Sequence, residues 1–204
     1  MTLIKLCGLQ RKEDVEIANA LQPDFAGFVL VQQSRRYIDY IRLEQMRQIL
    51  SPQIKAVGVF ADTNLDEVAF LLEKGLLDMV QLHGHEDERY LKQLKLLTDR
   101  PIIKAFGINS RDDIYRAEQS SADYILLDTA GGGTGRTFDW SLLNLCKRAY
   151  FLAGGLDPDN VGKAIENFHP YGVDVSSGIE SDGHKDGKKA ERFMINAGRM
   201  YEED

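Results

Sequence analysis

Two side chains far apart in this chain are of the types that proton-transfer chemistry needs. Cys7 closes the apolar run Leu3-Ile4-Lys5-Leu6-Cys7 and is followed by Gly8. Asp128 closes Tyr124-Ile125-Leu126-Leu127-Asp128, and the glycine-rich stretch Gly131-Gly132-Gly133-Thr134-Gly135 comes soon after it. A thiolate can act as a base and a protonated carboxyl as an acid. Two strands that deliver Cys7 and Asp128 into one pocket would therefore make a general acid–base pair.

The rest of the chain must position that pair. Short apolar runs alternate with amphipathic stretches from end to end, and eight runs read as strands: 3–7, 25–31, 54–60, 79–83, 102–106, 124–128, 150–153 and 172–176. Between them, Leu65, Val68, Ala69 and Leu72 follow the spacing of one buried helical stripe, as do Val161, Ala164, Ile165 and Phe168. Ala190, Phe193, Met194 and Ala197 repeat it, and Leu43, Met46 and Leu50 give a sparser version. Asp157-Pro158 predicts a capped helix start with proline at its first position. Ser110 with Asp113 three residues on predicts a capping box. Strands separated by single helices pair in parallel, because each helix carries the chain back across the sheet. Eight such units predict a closed (β/α)₈ TIM barrel, with residues 1–204 as a single catalytic domain. An open doubly wound sheet is the competing fold, but no G-x-G-x-x-G follows the first strand.

In such a barrel the site lies at the C-terminal strand ends. Counting alternate residues back from those ends places Lys5 with Cys7, Gln81 with His83, Lys104 with Phe106, and Asp174 with Ser176 on shared faces, all expected inside. Polar groups there are costly unless they pair or take part in chemistry. Gly154-Gly155 after strand seven and Ser177-Gly178 after strand eight read as backbone anion sites, at the two loops where this fold holds phosphate. Ser34-Arg35-Arg36-Tyr37, after strand two, offers planar guanidinium groups suited to a carboxylate. His83-x-His85 lacks a supporting cysteine or carboxylate cluster, so no metal is expected.

Composition narrows the class. Hydrophobic residues make up 43% and charged residues 28% of 204 residues, the balance of an ordinary globular domain. A net charge of −7 argues against a nucleic-acid or anionic-membrane surface. No apolar run approaches the roughly 20 residues that span a bilayer. The two cysteines, Cys7 and Cys146, make no disulfide framework, and Cys146 reads as a buried, inert residue. The opening Met-Thr-Leu-Ile-Lys runs straight into a strand without a signal-peptide pattern, so a cytoplasmic location is expected.

Taken together and in order, these residues resemble the phosphoribosylanthranilate isomerase family of tryptophan biosynthesis. The resemblance spans the chain. It rests on Lys5-Leu6-Cys7-Gly8, Ser34-x-Arg36-Tyr37, Gln81-Leu82-His83-Gly84, Lys104-Ala105-Phe106, Leu127-Asp128, Gly132-Gly133-Thr134-Gly135, Phe138-Asp139-Trp140, Ala153-Gly154-Gly155-Leu156 and Gly172-Val173-Asp174-Val175-Ser176-Ser177-Gly178-Ile179-Glu180.

The resemblance implies an Amadori rearrangement of N-(5'-phosphoribosyl)anthranilate to its 1-deoxyribulose 5-phosphate isomer, with no cofactor. It implies Asp128 as the acid that opens the sugar ring and Cys7 as the base at the sugar C2. A free thiol titrates near ~8.5, so Lys5 nearby would help hold the thiolate, and burial would keep Asp128 partly protonated. Arg36 is implied as the clamp on the anthranilate carboxylate, Asp174 as an orienting group and His83 as a binding residue. Gly133, Gly154, Gly155, Ser177 and Gly178 are implied as phosphate contacts. The partner is then a small phosphosugar–anthranilate, with neither nucleic acid nor membrane, and a monomer is expected rather than a homodimer. One departure stands out. The family reads Ser-Pro-Arg after strand two, whereas here Arg35 replaces the proline, so a shifted loop would present Arg35 instead of Arg36.

Two rivals remain. The related isomerase of histidine biosynthesis carries aspartates at the ends of strands one and five, where this chain has Cys7 and Phe106. A non-catalytic phosphosugar-binding barrel would keep the anion loops without needing Cys7 and Asp128.

Overall fold

The computed structural model describes residues 1–129 and 138–199. Eight parallel strands close into a barrel: β1 (Leu3–Cys7), β2 (Phe25–Val29), β3 (Lys55–Phe60), β4 (Met79–Leu82), β5 (Ile102–Ile108), β6 (Tyr124–Thr129), β7 (Tyr150–Leu152) and β8 (Gly172–Val175). The barrel closes where β1 pairs with β8, in a register that sets Lys5 beside Asp174. Each strand lies where the apolar runs predict it, within two residues at either end.

Helices α1 (Lys12–Leu21), α2 (Tyr40–Ile49), α3 (Leu65–Glu73), α4 (Glu88–Leu97), α5 (Arg111–Glu118), α6 (Val161–Phe168) and α7 (Gly187–Asn196) ring the barrel. Between β6 and β7 the described chain forms a 3₁₀ turn, Trp140–Leu145. The Ser110–Asp113 capping box starts α5 as predicted. The Asp157-Pro158 expectation is corrected: α6 begins at Val161. Asp157 Oδ1 instead accepts from the N–H groups of Asp159 and Asn160, closing a turn ahead of the helix.

Alternation along the strands divides the buried residues into two layers. Ile4, Leu6, Ala26, Phe28, Val80, Leu82, Ile125, Leu127, Val173 and Val175 point outward and pack under the helices. Phe25, Val57, Met79, Ile103, Leu126 and Phe151 fill the N-terminal end of the barrel interior, with the Phe25 and Phe151 rings edge to face at 5.7 Å. The interior is thus plugged by side chains below. Above that plug it turns polar, with Lys5, Gln81, Asp128 and Asp174 all buried.

One parity assignment fails. Ile103 and Ala105 point into the barrel, so Lys104 shares the outer face with Ile102 and Ile108, and Phe106 likewise packs outward. Lys104 Nζ donates to Gly84 O at 2.7 Å and pairs with Glu86 Oε2 at 2.8 Å. Glu86 in turn accepts from the N–H groups of Asp62 and Gly84. Lys104 therefore braces the loop after β4 from outside the barrel. The strand end alone does not say which parity faces inward, and the small, apolar Ala105 is the better interior residue.

Candidate active site

Cys7, Gln81, His83, Asp128 and Asp174 line a single cavity of about 430 Å³ at the C-terminal mouth of the barrel. Arg35 and Arg36 line it on the β2 side, and Gly154, Gly155 and Ser177 on the β7–β8 side. The strands bring together side chains from the two ends of the sequence, because β1 and β6 both stop at this rim.

Cys7 sits above a buried ion pair, Lys5 Nζ to Asp174 Oδ1 at 2.9 Å. Burial and Asp174 push the Cys7 thiol up from its ordinary value, and the Lys5 ammonium pulls it only part of the way back. Burial pulls Lys5 itself down, but Asp174 and Cys7 outweigh that and leave it raised. Lys5 does favour the thiolate, as expected, but it is shared with Asp174 and burial outweighs it.

Asp128 is held from two sides. Its Oδ1 accepts the Thr129 N–H at 2.6 Å, and its Oδ2 lies 3.3 Å from His83 Nε2. His83 Nδ1 is 3.1 Å from the Gln81 amide nitrogen. Gln81 Oε1 is buried and meets no donor among the described residues. Gly154 adopts φ +82°, and a Cβ there would stand 2.7 Å from Asp128 Oδ1. Only glycine lets the β7 turn come so close to the carboxyl. His85 points elsewhere, pairing with Asp62, so the two histidines diverge.

Arg36 is buried, and its Nε and Nη2 lie 2.6 and 3.0 Å from the two oxygens of Glu180. Its stem crosses Gly8, which adopts φ +80° and where a Cβ would collide with Arg36 Cδ. Arg35 extends outward with a side chain 62% exposed, its Nη2 at 3.0 Å from Glu180. The register argued from sequence therefore holds for burial: Arg36, and not Arg35, is the enclosed guanidinium.

At the opposite wall, Gly154 and Gly155 both adopt positive φ, and neither N–H donates to a described residue. The Asn160 side chain ties this turn, donating to Gly155 O at 2.8 Å. Ser177 opens the 3₁₀ turn Ser177–Ile179. Gly178 lies behind the wall rather than on it, where a Cβ would collide with the Leu156 carbonyl. Gly133 lies outside the described residues.

Residues 4–196 match the family model described as N-(5'phosphoribosyl)anthranilate (PRA) isomerase. The chain belongs to this family. A family member from Endomicrobium trichonymphae is 43% identical over 190 residues, covering 91% of this chain and 93% of its own. Among solved members, the phosphoribosyl anthranilate isomerase from Thermotoga maritima superposes with a TM-score of 0.88 at 33% identity, covering 98% of this chain and 100% of that one. A member solved with reduced 1-(o-carboxyphenylamino)-1-deoxyribulose 5-phosphate bound superposes at 0.85, with 33% identity and the same coverage. A further Thermotoga maritima structure is of monomers generated from the dimeric enzyme, at a TM-score of 0.86.

Sequence alone does not single out Glu180 and Lys185 as site-building residues, although Glu180 closes the stretch Gly172-Val173-Asp174-Val175-Ser176-Ser177-Gly178-Ile179-Glu180. Lys185 Nζ is buried 2.8 Å from Glu180 Oε1 and 3.0 Å from Ser176 O. The two residues pair across a short hairpin. Its turn, Asp182-Gly183, has positive φ at both positions, and an Asp-Gly dipeptide is a strong hairpin signal that was there to be read.

Proposed function

We propose that Cys7 and Asp128 carry out in this chain the isomerisation for which the family is named, converting N-(5'-phosphoribosyl)anthranilate to 1-(2-carboxyphenylamino)-1-deoxyribulose 5-phosphate. The observation that carries the reading is that Cys7 and Asp128 share one cavity, with a guanidinium on one side and a glycine turn on the other. That layout matches a substrate with an aryl carboxylate at one end and a phosphate at the other.

Asp128, as acid, delivers a proton to the furanose ring oxygen as the C1–O bond breaks, leaving an iminium between C1 and the anilino nitrogen. The iminium draws electrons from the C2–H bond, and the Cys7 thiolate takes that proton. The enolamine then tautomerises to the C2 ketone. Every electron pair stays within the substrate, so the steps call on neither metal nor organic cofactor. Arg36 holds the anthranilate carboxylate, and Gly154, Gly155 and Ser177 receive the phosphate. Asp174 orients the sugar from β8. Gln81 Oε1 is an acceptor for a sugar hydroxyl.

We read residues 1–204 as one catalytic domain working in the cytoplasm on a small molecule, without nucleic acid or membrane. No helix among the described residues is long and apolar enough to cross a membrane. The exposed large apolar side chains are distributed over α2, α3, α4 and α5 and over Met1, Tyr37 and Tyr171 outside them, a spread that supports a monomer. Light scattering on the purified protein tests that state against the dimer of the Thermotoga maritima relative. The activity is tested by following the fluorescence of freshly made phosphoribosylanthranilate. Its enzyme-dependent loss is expected with wild type and not with Cys7→Ser.

A further inference from the structure

Arg36 lines the cavity, whereas Glu180 and Lys185 do not. The three nevertheless form one buried chain, with the Glu180 carboxylate between the two cations. A guanidinium carries one N–H on Nε and two on each Nη. Glu180 occupies the Nε edge and one Nη2 hydrogen, which leaves the Nη1–Nη2 edge with its donors available to a second carboxylate. Glu180 therefore grips Arg36 from behind without occupying the face that an incoming anion needs.

Lys185 fixes the far side of that grip. Its ammonium bridges Glu180 Oε1, the Ser176 carbonyl and Ser176 Oγ, and Ser176 Oγ donates to Cys7 O. The hairpin that carries Glu180 and Lys185 is thereby tied to the ends of β8 and β1. It follows directly on the 3₁₀ turn that forms one wall of the cavity.

We propose that Glu180 is a positioning residue that holds the Arg36 guanidinium in the orientation needed to bind the substrate's aryl carboxylate, and that Lys185 holds Glu180. This rests on the reading of Arg36 as the carboxylate clamp. A fixed guanidinium loses little freedom when it forms two parallel hydrogen bonds, so preorganisation adds directly to affinity and selectivity. The opposing effect is charge: Glu180 is an anion on the same guanidinium and repels a second one. Lys185 and Arg35 both pair with Glu180 and offset that repulsion, so orientation outweighs charge.

The test measures binding of two probes to wild type, Glu180→Gln and Lys185→Met. One probe is reduced 1-(o-carboxyphenylamino)-1-deoxyribulose 5-phosphate, and the other is the same compound without its carboxyl group. Wild type should prefer the carboxylated probe. In Glu180→Gln that preference should fall by about tenfold or more, the scale of one charge-assisted contact, while the carboxyl-free probe binds as before. Lys185→Met should move the preference the same way and remains the test if Glu180→Gln fails to bind either probe. Tighter binding of the carboxylated probe by Glu180→Gln would make Glu180 a competitor and overturn the proposal. An unchanged preference in both variants would also overturn it and leave the clamp intact. A wild type without preference would instead remove the clamp reading, and the proposal with it.

Discussion

His83 reaches across the end of β5 to Asp128, Nε2 to Oδ2 at 3.3 Å. The Gln81 amide nitrogen faces the other ring nitrogen, Nδ1, at 3.1 Å. Three side chains from β4, its following turn and β6 thus stand in one row, Gln81 against His83 and His83 against the proposed acid. Asp128→Asn preserves the shape but has no proton to give. Turnover should fall by about 10²–10⁴-fold, the usual share of a general acid, while the reduced product analogue binds with little change. His83→Asn should lose less, because it removes support and not the proton donor. Collapse of analogue affinity in Asp128→Asn with turnover intact at saturation would make Asp128 a binding residue.

Cys7 titrates above its ordinary value because it is buried beside Asp174. A raised value means less thiolate at neutral pH, so reactivity must climb as pH rises. Iodoacetamide labelling of Cys7 should therefore show a midpoint above about 8.5, and the analogue should protect it. Asp174→Asn removes one of the groups that raise the thiol, so its midpoint should move down. A wild-type midpoint below that of a free thiol would show that Lys5 dominates after all.

The barrel was legible because its strands are continuous apolar runs with interior and exterior faces both buried, a signal that survives without tertiary information. Cys7, Asp128 and His83 could be placed at the cavity because each stands at or just beyond a strand end, whereas Arg36 was read from the family resemblance. What the sequence obscured depended on orientation and on pairing between distant segments. Lys104 was placed inside because strand parity has two solutions, and Lys104 finds its acid, Glu86, on a neighbouring loop. Arg36 was identified without Glu180, because nothing local to residue 36 announces a carboxylate brought in from beyond β8. Lys5 favours the thiolate at Cys7 as expected, but the burial that outweighs it, and Asp174 from far along the chain, are visible only in the fold.

Lys104→Met distinguishes the outer location from the inner one. Glu86 would be left buried beside Gly84 without its cation, and breaking a buried pair costs about 3–5 kcal/mol. Urea denaturation should register that loss. Because Lys104 does not line the cavity, KM should change little in the folded fraction. A large rise in KM with stability intact would return Lys104 to the pocket.

The two adjacent arginines offer the last contrast. Arg36 is enclosed and gripped on its Nε edge by Glu180, and a lysine there has no planar fork to serve Glu180 and a substrate carboxylate together. Arg36→Lys should weaken substrate binding by roughly 1–3 kcal/mol, read as a rise in KM. Arg35 also reaches Glu180, but from a largely exposed side chain, and exposed ion pairs contribute only about 0–1 kcal/mol. Arg35→Ala should leave KM nearly unchanged. If Arg35→Ala raises KM strongly while Arg36→Lys does nothing, the loop in solution presents Arg35, and the absence of the family's proline before Arg36 has shifted the clamp by one residue.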